Sequence, residues 1–266
     1  MDPLIFLIVS CMLLGCIAGV LAGLLGIGGG LVIVPTLVYL LQVKLGLPLE
    51  IVMPMAVATS LSTIIFTGFS SFLTHYKLGN LDMRVFLTCS VGIALGAVLG
   101  AQFAAYMPAE MLKRLFAGLM LLLAFRMAFG KNRVTEHSLS RPKLVGIGLG
   151  VGSVSSLLGI GGGALLVPAL VWFRVAMKTA IGCAAACGMV IALFGSGSFV
   201  LAGLGRAGLP EYSLGFVYLP ATVAIVSTSM LAANVGAKWG HNLPIATLKK
   251  IFAGFLVLVS LQMFLN

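Results

Sequence analysis

The stretch Gly23-Leu-Leu-Gly-Ile-Gly-Gly-Gly-Leu-Val-Ile-Val-Pro35 occurs twice, returning as Ser156-Leu-Leu-Gly-Ile-Gly-Gly-Gly-Ala-Leu-Leu-Val-Pro168. Gly26, Gly28, Gly29, Gly30 and Pro35 find counterparts 133 positions later in Gly159, Gly161, Gly162, Gly163 and Pro168. A glycine inside a helix costs about 1 kcal/mol relative to alanine. Three in succession within an apolar run therefore predict a break rather than a continuous helix. The duplication extends well past the motif. Gly100-Ala101, Pro108, Leu112-Lys113-Arg114 and Phe116-Ala117-Gly118 recur 136 positions on as Gly236-Ala237, Pro244, Leu248-Lys249-Lys250 and Phe252-Ala253-Gly254. The chain reads as two homologous halves, 1–130 and 144–266, joined by the polar linker 131–143.

Of 266 residues, 61% are hydrophobic and 8% charged, with a mean hydropathy of +1.18. No soluble domain of ordinary composition approaches this, so the chain is expected to be an all-α polytopic membrane protein. The net charge of +10 lies between apolar segments, where it sets topology and meets anionic lipid heads; nucleic-acid binding is not expected. Met1-Asp-Pro carries an acid where a secretory signal would carry a lysine or arginine, so the first apolar run is read as a retained span. No phosphate-binding Gly-x-x-x-x-Gly-Lys-Ser/Thr stretch occurs. The five cysteines, Cys11, Cys16, Cys89, Cys183 and Cys187, lie in apolar runs and read as packing residues.

Cutting at charges, glycine clusters and prolines leaves ten apolar segments, near 4–25, 31–41, 51–74, 85–106, 112–130, 144–158, 164–173, 179–204, 214–235 and 245–265. Six or seven are long enough to cross a hydrocarbon core of about 30 Å. The two behind the glycine clusters are not. Short segments at matching places in two halves are the sequence signature of discontinuous helices in a secondary transporter. If all ten cross, the odd-numbered connections hold Lys77, Arg84, Lys131, Arg133, Arg141, Lys143, Arg174, Lys178, Lys238, Lys249 and Lys250, and the even ones only Lys44, Lys113, Arg114 and Arg206. Joining each glycine-split pair into one span gives eight crossings and nearly abolishes this bias. The sorting therefore favours an odd count per half, hence inverted repeats, within a total of 8–10 segments.

A helix that restarts inside a membrane offers unpaired amides and a fractional positive dipole end. Without side chains, Gly26 and Gly28–Gly30, with Gly159 and Gly161–Gly163, let an anion approach such amides closely, and two clusters related by pseudo-symmetry would form one central site. Thr59 and Ser60, in the hydroxyl-rich third segment, are candidate additional ligands. The six acids, Asp2, Glu50, Asp82, Glu110, Glu136 and Glu211, all fall in or beside connections, so no membrane carboxylate offers a proton relay. His75, beside Tyr76 and Lys77, is the candidate for coupling to a proton. His137 and His241 make no constellation with the cysteines. No metal, cofactor or catalytic set is expected, so the chain does not read as an enzyme.

At the doubled Gly-Ile-Gly-Gly-Gly with its following proline, Ala58-Thr-Ser60, His75-x-x-x-Gly79-Asn-Leu-Asp82 and the Gly-Ala pairs at Gly100 and Gly236, the chain resembles the sulfite exporter TauE/SafE family of permeases. The resemblance implies a multi-pass carrier of the cell membrane for a small sulfur-containing anion such as sulfite, sulfoacetate or another organosulfonate. It carries a substrate class rather than a direction. A passive anion channel with the same amide-lined site, and a membrane component that assembles with others without transporting, are the other readings of the same residues.

Overall fold

The computed structural model describes residues 3–25, 29–129, 140–173, 175–240 and positions 254, 256, 257, 260, 261 and 263. Gly26, Gly28, residues 130–139, which include most of the linker, and most of the tenth segment lie outside these. The described helices are α1 (Pro3–Leu25), α2 (Gly30–Leu45), α3 (Leu49–Lys77), α4 (Met83–Tyr106), α5 (Ala109–Phe129), α6 (Arg141–Leu158), α7 (Gly163–Trp172), α8 (Met177–Gly203) and α9 (Leu219–Gly240). Two short strands, β1 (Ser213–Leu214) and β2 (Val217–Tyr218), pair as an antiparallel hairpin before α9. The all-α expectation holds, and four of the described helices are long and apolar enough to cross a membrane.

Three boundaries differ from the sequence reading. α2 runs on through Gln42-Val43-Lys44 to a left-handed cap at Gly46, and has sixteen residues. Lys44 is tolerated there because its ammonium sits 4.4 Å over the Phe6 ring, with the aliphatic stem along the apolar surface. α6 begins at Arg141, inside the stretch taken as linker, with Ser140 as N-cap and a proline in its first turn. The ninth helix starts at Leu219 rather than 214, because Gly208 and Gly215 hold positive φ values of 85° and 54° and turn the preceding residues into the hairpin.

Packing pairs helices across the two halves. α1 lies along α9, and α4 along α6. Both seams are made of small residues four apart, which bring backbones together where lipid supplies no hydrophobic force between helices. Gly15 and Gly19 press on Ile225, Thr228, Ser229 and Ala232, and Thr228 Oγ1 donates to Met12 O at 2.8 Å. Gly92, Gly96 and Gly100 press on the backbone of Val145, Leu149 and Ser153, while Gly148 and Gly152 press on Cys89 and Ile93. In each seam the residue numbers rise together, so the paired helices are parallel.

α3 and α8 cross between these seams and run antiparallel. Gly195 lies against Leu61, Gly68 against Met189, and Gly182 against Asn80. Contacts of α3 with α9, and of α8 with α4, rise in register, as Thr59 to Tyr218 and Ser62 to Thr222, or Cys183 to Asp82 and Ser198 to Gln102. One set of parallel helices is therefore α1, α3 and α9, and the opposed set is α4, α6 and α8. Gly30 at the start of α2 lies by Ser60, and Gly162 at the start of α7 lies by Ala184 and Gly188. Both short helices thus fold back as hairpins on the long helix that follows, so that α2 runs against α1 and α7 against α6. One end of the bundle gathers Lys77, Arg84, Arg141, Lys143 and Lys178; the other gathers Lys44, Lys113, Arg114 and Arg206.

Candidate functional site at the two glycine breaks

The two breaks touch. Gly30, the first residue of α2, is in contact with the carbonyl of Gly159, the residue that ends α6. A β-carbon on Gly30 would overlap Gly159 O; one on Gly159 would lie 2.9 Å from Val34 Cγ2 and 3.1 Å from Val57 Cα. Gly159 also holds φ +69°, which places its amide on the carbonyls of Ser155 and Ser156 and closes α6, with Ile160 N donating to Ser155 O at 2.9 Å. Crowding and conformation both require glycine here. Ser60 Oγ donates to Gly159 O at 2.8 Å and ties α3 of the first half to the break of the second.

α2 and α7 start alike. Gly29 O accepts from Val32 and Ile33 at 3.0 and 3.1 Å, and Gly162 O from Leu165 and Leu166 at 3.3 and 2.8 Å. The amides of Gly30 and Leu31, and of Gly163 and Ala164, lie ahead of these first intrahelical bonds, and neither N-cap has a side chain to satisfy them. Gly29, Gly30, Gly159, Gly161, Gly162 and Gly163 are all buried. The described glycines of both breaks are therefore shut away from solvent, and the Gly30–Gly159 contact joins the two breaks. Gly26 and Gly28 lie outside the described residues.

The candidate hydroxyls are held by protein partners. Thr59 Oγ1 accepts the amide of Tyr218 at 3.0 Å, and Ser62 Oγ and Thr222 Oγ1 are 2.9 Å apart. These bonds fasten the hairpin before α9 against α3; with them Phe216 is fully buried and meets Phe199 edge-on at 6.4 Å. His75 sits far from the breaks, in the last turn of α3, with its Nδ1 buried and unpartnered. Among the described residues no group of three or more His, Cys, Asp or Glu could hold a metal ion.

A profile of the family described as Sulfite exporter TauE/SafE matches residues 11–263. The chain belongs to that family. A Haemophilus influenzae protein named a probable membrane transporter is 43% identical over 97% of this chain and 98% of its own length. The Bacillus subtilis protein YunE, named likewise, is 27% identical over 96% of each chain, and a Methanocaldococcus jannaschii relative 23% identical over 95% of this chain and 94% of its own. No solved structure matches. This TauE/SafE protein is thus a membrane transporter, multi-pass and of the plasma membrane.

Two groups in this TauE/SafE chain escaped the sequence reading. Lys113, taken as a connection residue, lies in the second turn of α5, 9% exposed, with its ammonium 3.7 Å from Glu110. Its place between buried Leu112 and Phe116 on one helical face was the available signal. Ser155, one turn before Gly159, is fully buried and its hydroxyl has no partner. A serine pair closing an apolar segment in the sequence pointed to it.

Proposed function

We propose that the protein is a secondary carrier that moves a small sulfur-containing anion, sulfite or an organosulfonate, by alternating access between two inverted repeats. The observation that carries this reading is the contact of Gly30 with Gly159, which sets the start of α2 in the first half against the break that ends α6 in the second. The helix exchange supports it too. α1 on α9 and α6 on α4 are the same pairing with the halves interchanged, and α3 antiparallel to α8 is what five crossings per half require; joined spans would make them parallel.

In this reading the amides at the starts of α2 and α7 bind the anion, aided by their dipole ends, each equivalent to about half a positive charge. Ser60 and Thr59 hold the halves and the hairpin in the state described and exchange partners as one half rocks against the other. The end rich in Lys77, Arg84, Arg141, Lys143 and Lys178 faces the cytoplasm. His75, at that end, is the site where a coupled proton would enter. The naming of relatives as transporters fits a chain with no enzymatic role.

Radiolabelled sulfite and sulfoacetate counterflow in proteoliposomes tests the reading. Saturable counterflow that falls at least tenfold in Gly29→Leu and Gly162→Leu is expected. Undiminished flux in both folded variants refutes the glycine site. Ion conductance far above carrier turnover, without counterflow, would favour a channel, and no flux of any kind a component that only assembles with others.

A further inference from the structure

The corner between α4 and α5 carries a cavity of about 420 Å³, lined by Pro108, Glu110, Met111, Arg114 and Leu115. It lies at the end of the bundle that holds Lys44 and Arg206, and its size is within the roughly 300–1,000 Å³ of small-molecule sites. The cavity opens sideways. Leu112, Lys113, Phe116, Ala117 and Met120 form the buried face of α5, where Ser260 Oγ donates to Ala117 O at 2.8 Å. Met111, Arg114 and Leu115 belong to the exposed face instead. A transported anion passes through the bundle, so a cavity on this face serves a molecule of the bilayer.

Three charges meet at this corner, and they do not cancel. Glu110 Oε1 lies 3.7 Å from Lys113 Nζ and Glu110 Oε2 lies 4.0 Å from Arg114 Nε, so one carboxylate serves two cations. The cluster keeps one surplus positive charge. Lys113 is shut on the bundle side, whereas the Arg114 side chain is 76% exposed, so the surplus is presented at Arg114. Its contact with Glu110 runs through Nε and leaves both terminal amino groups to a second oxyanion, a planar fork that matches two phosphate oxygens. From the cavity Met111, Leu115, Gly118 and Leu122 continue as one exposed stripe, at the i, i+4, i+7, i+11 spacing of a single helical face. Gly118 leaves open space in the middle of it.

We propose that this corner binds one anionic phospholipid, its phosphate on the Arg114 guanidinium and an acyl chain along Met111, Leu115 and Leu122. The charge balance selects the headgroup. Phosphatidylglycerol brings the single negative charge that the surplus requires. Phosphatidylethanolamine and phosphatidylcholine add a cation of their own, and Glu110 already stands between two. Tyr106, exposed at the end of α4, stands beside the corner as aromatic residues do at headgroup level. The site is separate from the glycine breaks and independent of which anion the carrier moves.

The test uses the full chain as wild type, Arg114→Gln, Arg114→Lys and Gly118→Leu. Native mass spectrometry counts the lipids retained during titration with phosphatidylglycerol or phosphatidylcholine of matched chains. Wild type is expected to retain more phosphatidylglycerol than phosphatidylcholine, and Arg114→Gln to retain one phosphatidylglycerol fewer than wild type. Arg114→Lys keeps the charge and loses the fork, so occupancy of that one lipid should fall between. Gly118→Leu fills the apolar track and should lower the same occupancy with Arg114 intact. Thermal unfolding in detergent without added lipid should match wild type in Arg114→Gln, since an exposed pair contributes little to stability. An equal count of phosphatidylglycerol in Arg114→Gln and wild type, or equal retention of the two lipids by wild type, overturns the proposal. Wild-type occupancy in Gly118→Leu overturns the acyl track.

Discussion

The connection from α3 to α4 and its counterpart from α8 to α9 separate what the duplication preserved from what it did not. The first spans Leu78–Asp82 and ends in a compact cap, Asp82 accepting from Arg84 N and Val85 N at 2.9 and 3.1 Å. The second spans residues 204–218 and folds into a hairpin that buries Val217 and Tyr218 against α3 and Phe216 against Phe199 of α8. The helix exchange is shared by both halves; the hairpin belongs to one. Thr59 serves as a hydroxyl where this extra segment docks, while α8 carries the small apolar run Cys183-Ala-Ala-Ala-Cys187 in the corresponding stretch, beside Gly162 as Ser60 is beside Gly30. The uneven hydroxyl content of α3 and α8 thus follows from uneven connections, and the shared glycine breaks mark what both halves need.

The sharpest break of this comparison is at the shared element. Gly30→Val forces a side chain into the Gly159 carbonyl and should cost about 3 kcal/mol or more, read as a lost thermal transition in detergent. Gly163 is the matching first residue of α7, so Gly163→Val should be equally damaging. A mild Gly163→Val would show that the breaks are not equivalent. Next comes the one-sided element. Thr59→Val strands the Tyr218 amide and should cost about 1–3 kcal/mol, with faster hydrogen exchange confined to the hairpin. Ser60→Ala, which removes a donor from Gly159 O but leaves the glycine contact, should cost about 1 kcal/mol in the same unfolding assay. Gly118→Ala, on the outer face of α5 with open space before it, should stabilise by about 0.5–1 kcal/mol.

The glycine breaks, the order of the segments and the sorting of basic residues were legible because each is a local or periodic property of the chain. Helix breaking needs only the glycines, and charge position needs only the count of crossings. A reversal at Gly159 was implied by the charge sorting, but the local conformation was not legible, since a glycine cluster permits a kink, a straight restart or a turn, and the left-handed cap at Gly159 with the packing of Gly162 on Ala184 and Gly188 selects among them. The hairpin was read as the start of a span because Leu214, Phe216, Val217 and Tyr218 are as apolar as any membrane segment. Only Gly208, Pro210 and Gly215 betray the turns. Ser60 was chosen for its hydroxyl, but its partner is a carbonyl 99 residues away, a distance over which no sequence pattern speaks.

The proposed anion sits where the two breaks meet. Selenite, an analogue of sulfite with a heavier central atom, permits its direct location by anomalous scattering from crystals of the full chain. A selenium peak is expected within hydrogen-bond reach of the amides at the start of α2 or α7, beside Gly159. A selenite site elsewhere, such as beneath the α8–α9 hairpin or at Lys113, with the breaks empty, would contradict it.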